Sequence, residues 1–171
     1  TTFWQDALEK EMKNVMVAFE FPDNDKVPIG YQKISCHLIF NVKITLAQKV
    51  RLVAGGHETP VSPESCFASV VSRESMRIGF LTAALNDLEV LTADVQNAYT
   101  NSPTHEKNYV ITGPEFGTNA GQPALIVREL YGLWSSGAWW HDYLAATLQD
   151  VNYVSCKADS NVWMNPEMKP D

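Results

Sequence analysis

Leu88-Glu89-Val90-Leu91-Thr92-Ala93-Asp94-Val95-Gln96-Asn97-Ala98-Tyr99 is the stretch that gives the rest of this 171-residue sequence its meaning. Leu88 to Asp94 reads as a mostly apolar strand ending in a carboxylate. A carboxylate at a strand end suits Mg²⁺, which prefers carboxylate oxygens and substrate phosphates. Where the chain then turns, the backbone amides of Val95 to Ala98 suit a triphosphate, which makes Gln96 and Asn97 nucleotide-binding candidates. Tyr99 is placed to floor such a pocket. The same residues also suit an Asp that caps a short helix, and the local pattern leaves both readings open.

Upstream, Ser72 opens a helix running to about Asn86, with Met76, Phe80, Ala83 and Ala84 on one side. Before it, residues 57 to 70 form a loop containing Pro60 and Pro63. Two strand-like runs precede the loop. Leu38, Phe40, Val42 and Ile44 alternate with polar residues, and Lys49-Val50-Arg51-Leu52-Val53 alternates again. The short connection predicts an antiparallel hairpin that ends at Gly55-Gly56. Lys49 and Arg51, two apart on a strand, point the same way. They suit a clamp on a polyphosphate, and equally a solvated strand edge protected by charge. Trp4, Leu8, Met12, Val15, Met16 and Phe19 predict an amphipathic helix over residues 3 to 20, with Thr2 as its N-cap.

Downstream, Tyr109 to Ile111 and Leu125 to Arg128 read as short strands separated by Gly/Pro turns, and residues 136 to 150 as a last helix. Leu130-Tyr131-Gly132-Leu133-Trp134-Ser135-Ser136-Gly137 is a Gly/Ser-rich turn entering an aromatic helix. Gly132 lets a base or sugar approach the backbone, and Ser135 and Ser136 lie beside it. Trp134, or the Trp139/Trp140 pair, suits stacking on a base as well as an ordinary place in a core. The mixed order of runs predicts an α+β fold rather than regular βαβ alternation.

The bulk composition excludes several classes. No apolar run approaches the roughly 20 residues of a membrane span, and the first residues carry no signal-peptide pattern. The absence of an initial Met suits a piece cut from a longer chain. Cys36, Cys66 and Cys156 lie far apart, without a CxxC, which argues for reduced thiols in an intracellular setting. The four histidines build no HExxH and no nucleophile triad. The net charge of −7 opposes nucleic-acid binding unless the cations are gathered on one surface.

Five ordered segments together resemble one family. Trp4-Gln5-Asp6-Ala7 with Glu11, Lys49-Val50-Arg51-Leu52-Val53-Ala54, Ser72-Arg73-Glu74-Ser75-Met76-Arg77, Ala93-Asp94-Val95-Gln96-Asn97-Ala98-Tyr99, and Leu130-Tyr131-Gly132-Leu133 followed by Trp140 are similar to successive motifs of the Ty1/copia-type retrotransposon reverse transcriptases. The resemblance implies RNA-directed DNA polymerisation by a right-hand fold with packed helices on an antiparallel sheet. Residues 1–171 form a single partial domain on this reading, with fingers mostly to about 85 and partial palm from about 86. Asp94 is then a catalytic metal ligand and the Val95 carbonyl a further ligand, both for Mg²⁺. Lys49 and Arg51 grip the incoming dNTP, Tyr99 excludes a ribose 2′-hydroxyl, and the segment from 130 to 138 lines the template and nucleotide pocket. An RNA or DNA template-primer is the implied partner. The parent polyprotein is implied to be cytoplasmic, in virus-like particles.

The departures from the family carry expectations too. Its Y-x-D-D hairpin, due shortly after Asp159 to Trp163, is absent before the chain ends at Asp171, as are thumb, connection and RNase H regions. Trp134 and Trp139 stand where the family usually has Lys and Arg. The chain is therefore expected to be inactive alone, either as a polyprotein fragment or as a degenerate, non-enzymatic copy acting as a binding module. An exposed palm sheet edge and self-association are expected as well.

Overall fold

The computed structural model describes residues 2–59 and 66–167. In chain order its elements are α1 (Thr2–Val15), β1 (Phe19–Glu20), β2 (Gln32–Lys33), β3 (Cys36–Val42), β4 (Gln48–Ala54), α2 (Arg73–Leu85), β5 (Asn108–Ile111), β6 (Pro123–Ile126), α3 (Ser136–Asp150), β7 (Val154–Ser155) and β8 (Trp163–Met164). The mixture of helices and largely antiparallel sheets is the α+β class expected. The chain divides into two compact units, each made of two segments: 1–66 with 97–140, and 67–96 with 141–171.

The first unit contains the core. Its sheet runs β1-β6-β5-β2, antiparallel except for the parallel pair β2–β5. Beside it stands the β3–β4 hairpin, antiparallel as expected and closed by the Lys43 and Ala47 backbones. Strand periodicity dictates what β4 does. Val50, Leu52 and Ala54 are buried while Lys49, Arg51 and Val53 stay half-exposed. Met12, Val15, Ile34, Leu52, Val110, Ile126 and Leu130 meet in one cluster. Phe19 closes edge-on against Phe116, with ring centroids 5.1 Å apart.

Three expectations need correction in this unit. The first helix stops at Val15, passes through a 3₁₀ turn over Met16–Ala18, and gives way to β1 instead of continuing to residue 20. The cause is long-range: the Val127 amide donates to the Ala18 carbonyl at 2.8 Å, and Phe19 registers with Ile126 in the sheet. At its other end the helix already includes Thr2. The strand expected over 125 to 128 lies over Pro123–Ile126, because proline fits the first position of a strand. The prolines expected in the 57-to-70 loop lie outside the described residues.

The second unit comprises α2, the residues of α3 from 141 onward, and the β7–β8 pair. Ser72 caps α2 as expected, its Oγ accepting from the Ser75 amide at 3.0 Å. Asp159 reinforces that start by accepting from the Ser72 amide at 2.9 Å and the Ser75 hydroxyl at 2.7 Å. These bonds, Ser75's first, hold its carboxyl well below the usual range. The side of α2 that carries Met76, Phe80, Ala83 and Ala84 is not covered by a core: only Ala83 among them is half-buried. None of the unit's described residues is buried, and Met76, Phe80 and Leu81 are exposed. Residues 88 to 95 form no strand either, having no ladder partner among the described residues.

Candidate functional site

The first unit assembles a cationic and aromatic cluster around β4. Lys49 and Arg51 share the half-exposed face of that strand, opposite Asn41 and Ile39 in register. Glu11, buried on α1, supplies the counter-charge behind them. Its Oε1 accepts from the Leu52 amide at 3.0 Å, so it also caps the hydrogen-bonding edge of β4. Burial raises the Glu11 pKa, while the Leu52 amide and the charges of Lys49 and Arg51 pull it back.

Tyr131 joins the distant candidates. The Arg51 guanidinium lies over its ring at 5.0 Å from the centroid. The Tyr99 ring packs on the same ring, with centroids 4.8 Å apart and planes 60° apart. Arg51 Nε is buried with no hydrogen-bond partner. Tyr99 sits in a 3₁₀ turn, Ala98–Asn101, that Asn97 starts in the left-handed region at φ 51°. Asparagine tolerates that conformation, and its carbonyl accepts from the Thr100 amide and hydroxyl. From the other side Arg128 donates to the Asn101 carbonyl at 3.2 Å.

The 130-to-136 turn is pinned from both sides. The Ala54 amide donates to the Tyr131 carbonyl at 2.7 Å, tying the end of β4 to the turn. Gly132, at φ +97°, lies so close that a Cβ would run into the Ala54 carbonyl, and a Cβ on Gly56 would run into the Gly132 carbonyl. The close approach Gly132 permits here is thus between two stretches of backbone. Ser135 and Ser136 are buried: Ser135 donates to Glu106 at 2.5 Å, and Ser136 lies 2.6 Å from both Glu129 Oε2 and the Leu130 carbonyl. Trp134 is exposed, and Trp139 stacks on His105 at 3.9 Å.

Asp94, Val95 and Gln96 belong to the second unit, on exposed, irregular chain. No three His, Cys, Asp or Glu side chains among the described residues come together to hold a metal ion. Asp94 by itself does not supply the several oxygen ligands that a Mg²⁺ ion takes. A cavity of about 550 Å³ in the same unit is lined by Gln149, Asn152, Tyr153 and Ser155, and by no candidate residue. Cys36 and Cys156 form no disulfide, and burial, with the charges of Glu115 and Glu58, pushes the Cys36 thiol up to about 12. No helix among the described residues is long and apolar enough to cross a membrane.

Two residues of the cluster had no individual role among the candidates drawn from sequence. Glu11 carries a signal that could have found it: a carboxylate three residues after Leu8 and beside Met12, on the apolar stripe of an amphipathic helix. Tyr131 stood inside the 130-to-138 segment expected to line the pocket, but its pairing with Tyr99 and Arg51 had no sequence signal, because those partners lie 32 and 80 residues away in the chain.

The family model described as reverse transcriptase (RNA-dependent DNA polymerase) matches residues 14–168. The chain belongs to the reverse transcriptase family. The match includes the segments around Lys49, Ser72, Asp94 and Tyr131, while Trp4 to Ala7 precede it. The retrovirus-related Pol polyprotein from transposon TNT 1-94 of Nicotiana tabacum is 26% identical over an alignment of 148 residues that covers 81% of this chain. The Ty1/copia-type retrotransposon resemblance is borne out by these two matches. The chain spans 11% of the length of that relative. No solved structure matches the chain.

Proposed function

We propose that this reverse transcriptase chain is the part of an RNA-directed DNA polymerase that receives the incoming dNTP and contacts the template-primer. The observation that carries the reading is the placement of Arg51 and Tyr99 against one ring, with Lys49 beside Arg51 on the same strand face and Glu11 behind both. Lys49 and Arg51 hold the triphosphate; Tyr99 screens the sugar; Asn97 starts the turn that carries Tyr99. Gly132, Ser135 and Ser136 shape the pocket wall by fixing the turn that carries Tyr131. On this reading fingers extend to about residue 85 and palm follows.

Polymerisation needs more than Asp94 and the Val95 carbonyl, because two Mg²⁺ ions in line with a primer hydroxyl and a triphosphate require several carboxylates. The chain alone is therefore inactive as a polymerase. Primer extension on an RNA template with Mg²⁺ and dNTPs, run beside Asp94→Asn, tests this: neither protein should extend the primer. Extension by the wild type that is lost in Asp94→Asn would show that another carboxylate completes the site.

A second reading, a non-enzymatic binding module, draws support from Trp139. Where the family usually has a cation, that ring is engaged with His105. Binding of dNTP without any extension in a longer piece of the same polyprotein would favour it.

A further inference from the structure

The geometry points to Tyr131 as a positioning residue that sets Arg51 and Tyr99 in their working places for nucleotide binding. This rests on the nucleotide-binding reading above and adds to it the residue on which the two ligand-facing groups depend.

Arg51 reaches out from a strand, and a long side chain there has many rotamers of similar energy. Its Nε makes no hydrogen bond although it is buried. With the Glu11 charge behind it, the guanidinium lies over the Tyr131 ring, 5.0 Å away, which gives it a direction on that side. Tyr99 leans on that same ring at 4.8 Å. Tyr131 can serve both because its own backbone is fixed. The Ala54 amide bonds its carbonyl, and the next residue, Gly132, is locked at φ +97° against Ala54. The ring therefore stands on the end of the strand that carries Arg51, and the 3₁₀ turn brings Tyr99 to it. A cation for phosphates and a ring for the sugar are held by one side chain. Losing that ring should weaken phosphate grip and sugar discrimination together, whereas a loss of Arg51 alone would affect only the first.

The test compares the wild-type chain with Tyr131→Phe and Tyr131→Leu, each first shown to be folded by circular dichroism. Tyr131→Met gives the same comparison if the leucine variant fails to fold. Calorimetric titrations use dUTP and UTP, which differ only at the 2′ position, and NMR follows the Arg51 Nε–H resonance. The leucine variant should bind dUTP about fivefold more weakly, the size of one partly exposed cation–π contact. It should also show a smaller dUTP/UTP ratio and a displaced Arg51 resonance, and the phenylalanine variant should restore all three. Unchanged dUTP affinity and an unchanged Arg51 resonance in the leucine variant would overturn the proposal. If the wild type binds neither nucleotide, the nucleotide reading of the site fails, and the resonance alone decides. A shift in leucine reversed by phenylalanine then supports positioning, and no shift overturns it.

Discussion

Glu129 shows how much a single buried side chain can set. It is fully buried, and Ser136 Oγ lies 2.6 Å from both its Oε2 and the Leu130 carbonyl. One hydroxyl proton serves one acceptor at a time. A protonated Glu129 resolves the conflict: the carboxyl donates to Ser136, and Ser136 donates to Leu130. Burial accordingly raises the Glu129 pKa above the 4.5 of an exposed glutamate, opposed by the hydrogen bonds that Ser136 and Thr104 would donate to the ionised carboxylate. The sign of the consequence follows from linkage. Above pH 4.5 the unfolded chain loses this proton while the folded chain keeps it, so the contribution to stability is complete below 4.5. It is lost as pH rises through the raised folded value. Glu129→Gln keeps a donor toward Ser136 and cannot ionise. Urea midpoints measured across the acid-to-neutral range should fall less steeply with pH in this variant than in the wild type. Parallel curves would show that Glu129 ionises without cost. Glu11 shifts in the same direction, so part of the wild-type slope should survive in Glu129→Gln.

At the scale of elements, the clasp between β4 and the 130-to-133 turn depends on glycine. Gly132→Ala places a Cβ against the Ala54 carbonyl in a left-handed conformation, which should cost on the order of 1–3 kcal/mol or more of unfolding free energy. Ser72→Ala removes the bond to the Ser75 amide and should cost about 1 kcal/mol. Tryptophan-monitored denaturation measures both, and a Gly132→Ala variant as stable as the wild type would dissolve the clasp. What the sequence disclosed among these elements was what local chemistry decides. Lys49-Val50-Arg51-Leu52-Val53 alternates with period two, so both the strand and the shared face of its cations were legible. Ser72 announced α2, and the run from Ser136 announced α3. What it hid was decided at a distance. The end of α1 is set by a bond from Val127, and a strand over 88 to 94 needs a neighbour that no pattern in those seven residues supplies. The candidate site divides in the same way: Lys49 and Arg51 could be placed from spacing, whereas Tyr131 takes its role from partners met only in the folded unit.

At the scale of the whole chain, the two units differ in charge and in what they bury. The segments of the first hold nine Lys and Arg against eleven Asp and Glu; those of the second hold four against nine. Most of the net −7 thus belongs to the second unit, and Lys49 and Arg51 lie in the less acidic first unit. The second unit's apolar surface has a consequence of its own. Met76, Ile78, Phe80, Leu81 and Leu85 leave α2 apolar on most of its circumference, yet all are exposed. A helix of that kind ordinarily lies inside a protein. Residues 88 to 95 leave Val90 and Leu91 exposed as well, without a ladder to occupy their backbone among the described residues. In purified protein the surface available in greatest supply to cover them is that of a second copy. Sedimentation velocity should therefore show association that grows with concentration. The double variant Ile78→Gln, Leu81→Gln should weaken it by about tenfold or more, since burying one such side chain is worth roughly 1.5–3 kcal/mol. The far-UV spectrum should hold, because glutamine is a good helix former and neither residue is buried. A wild type that stays monomeric at every concentration would mean that α2 is covered by something other than a copy of itself. Association that persists unchanged in the double variant would move the contact elsewhere, with the exposed Ile39, Phe40 and Val42 of β3 the next surface to test.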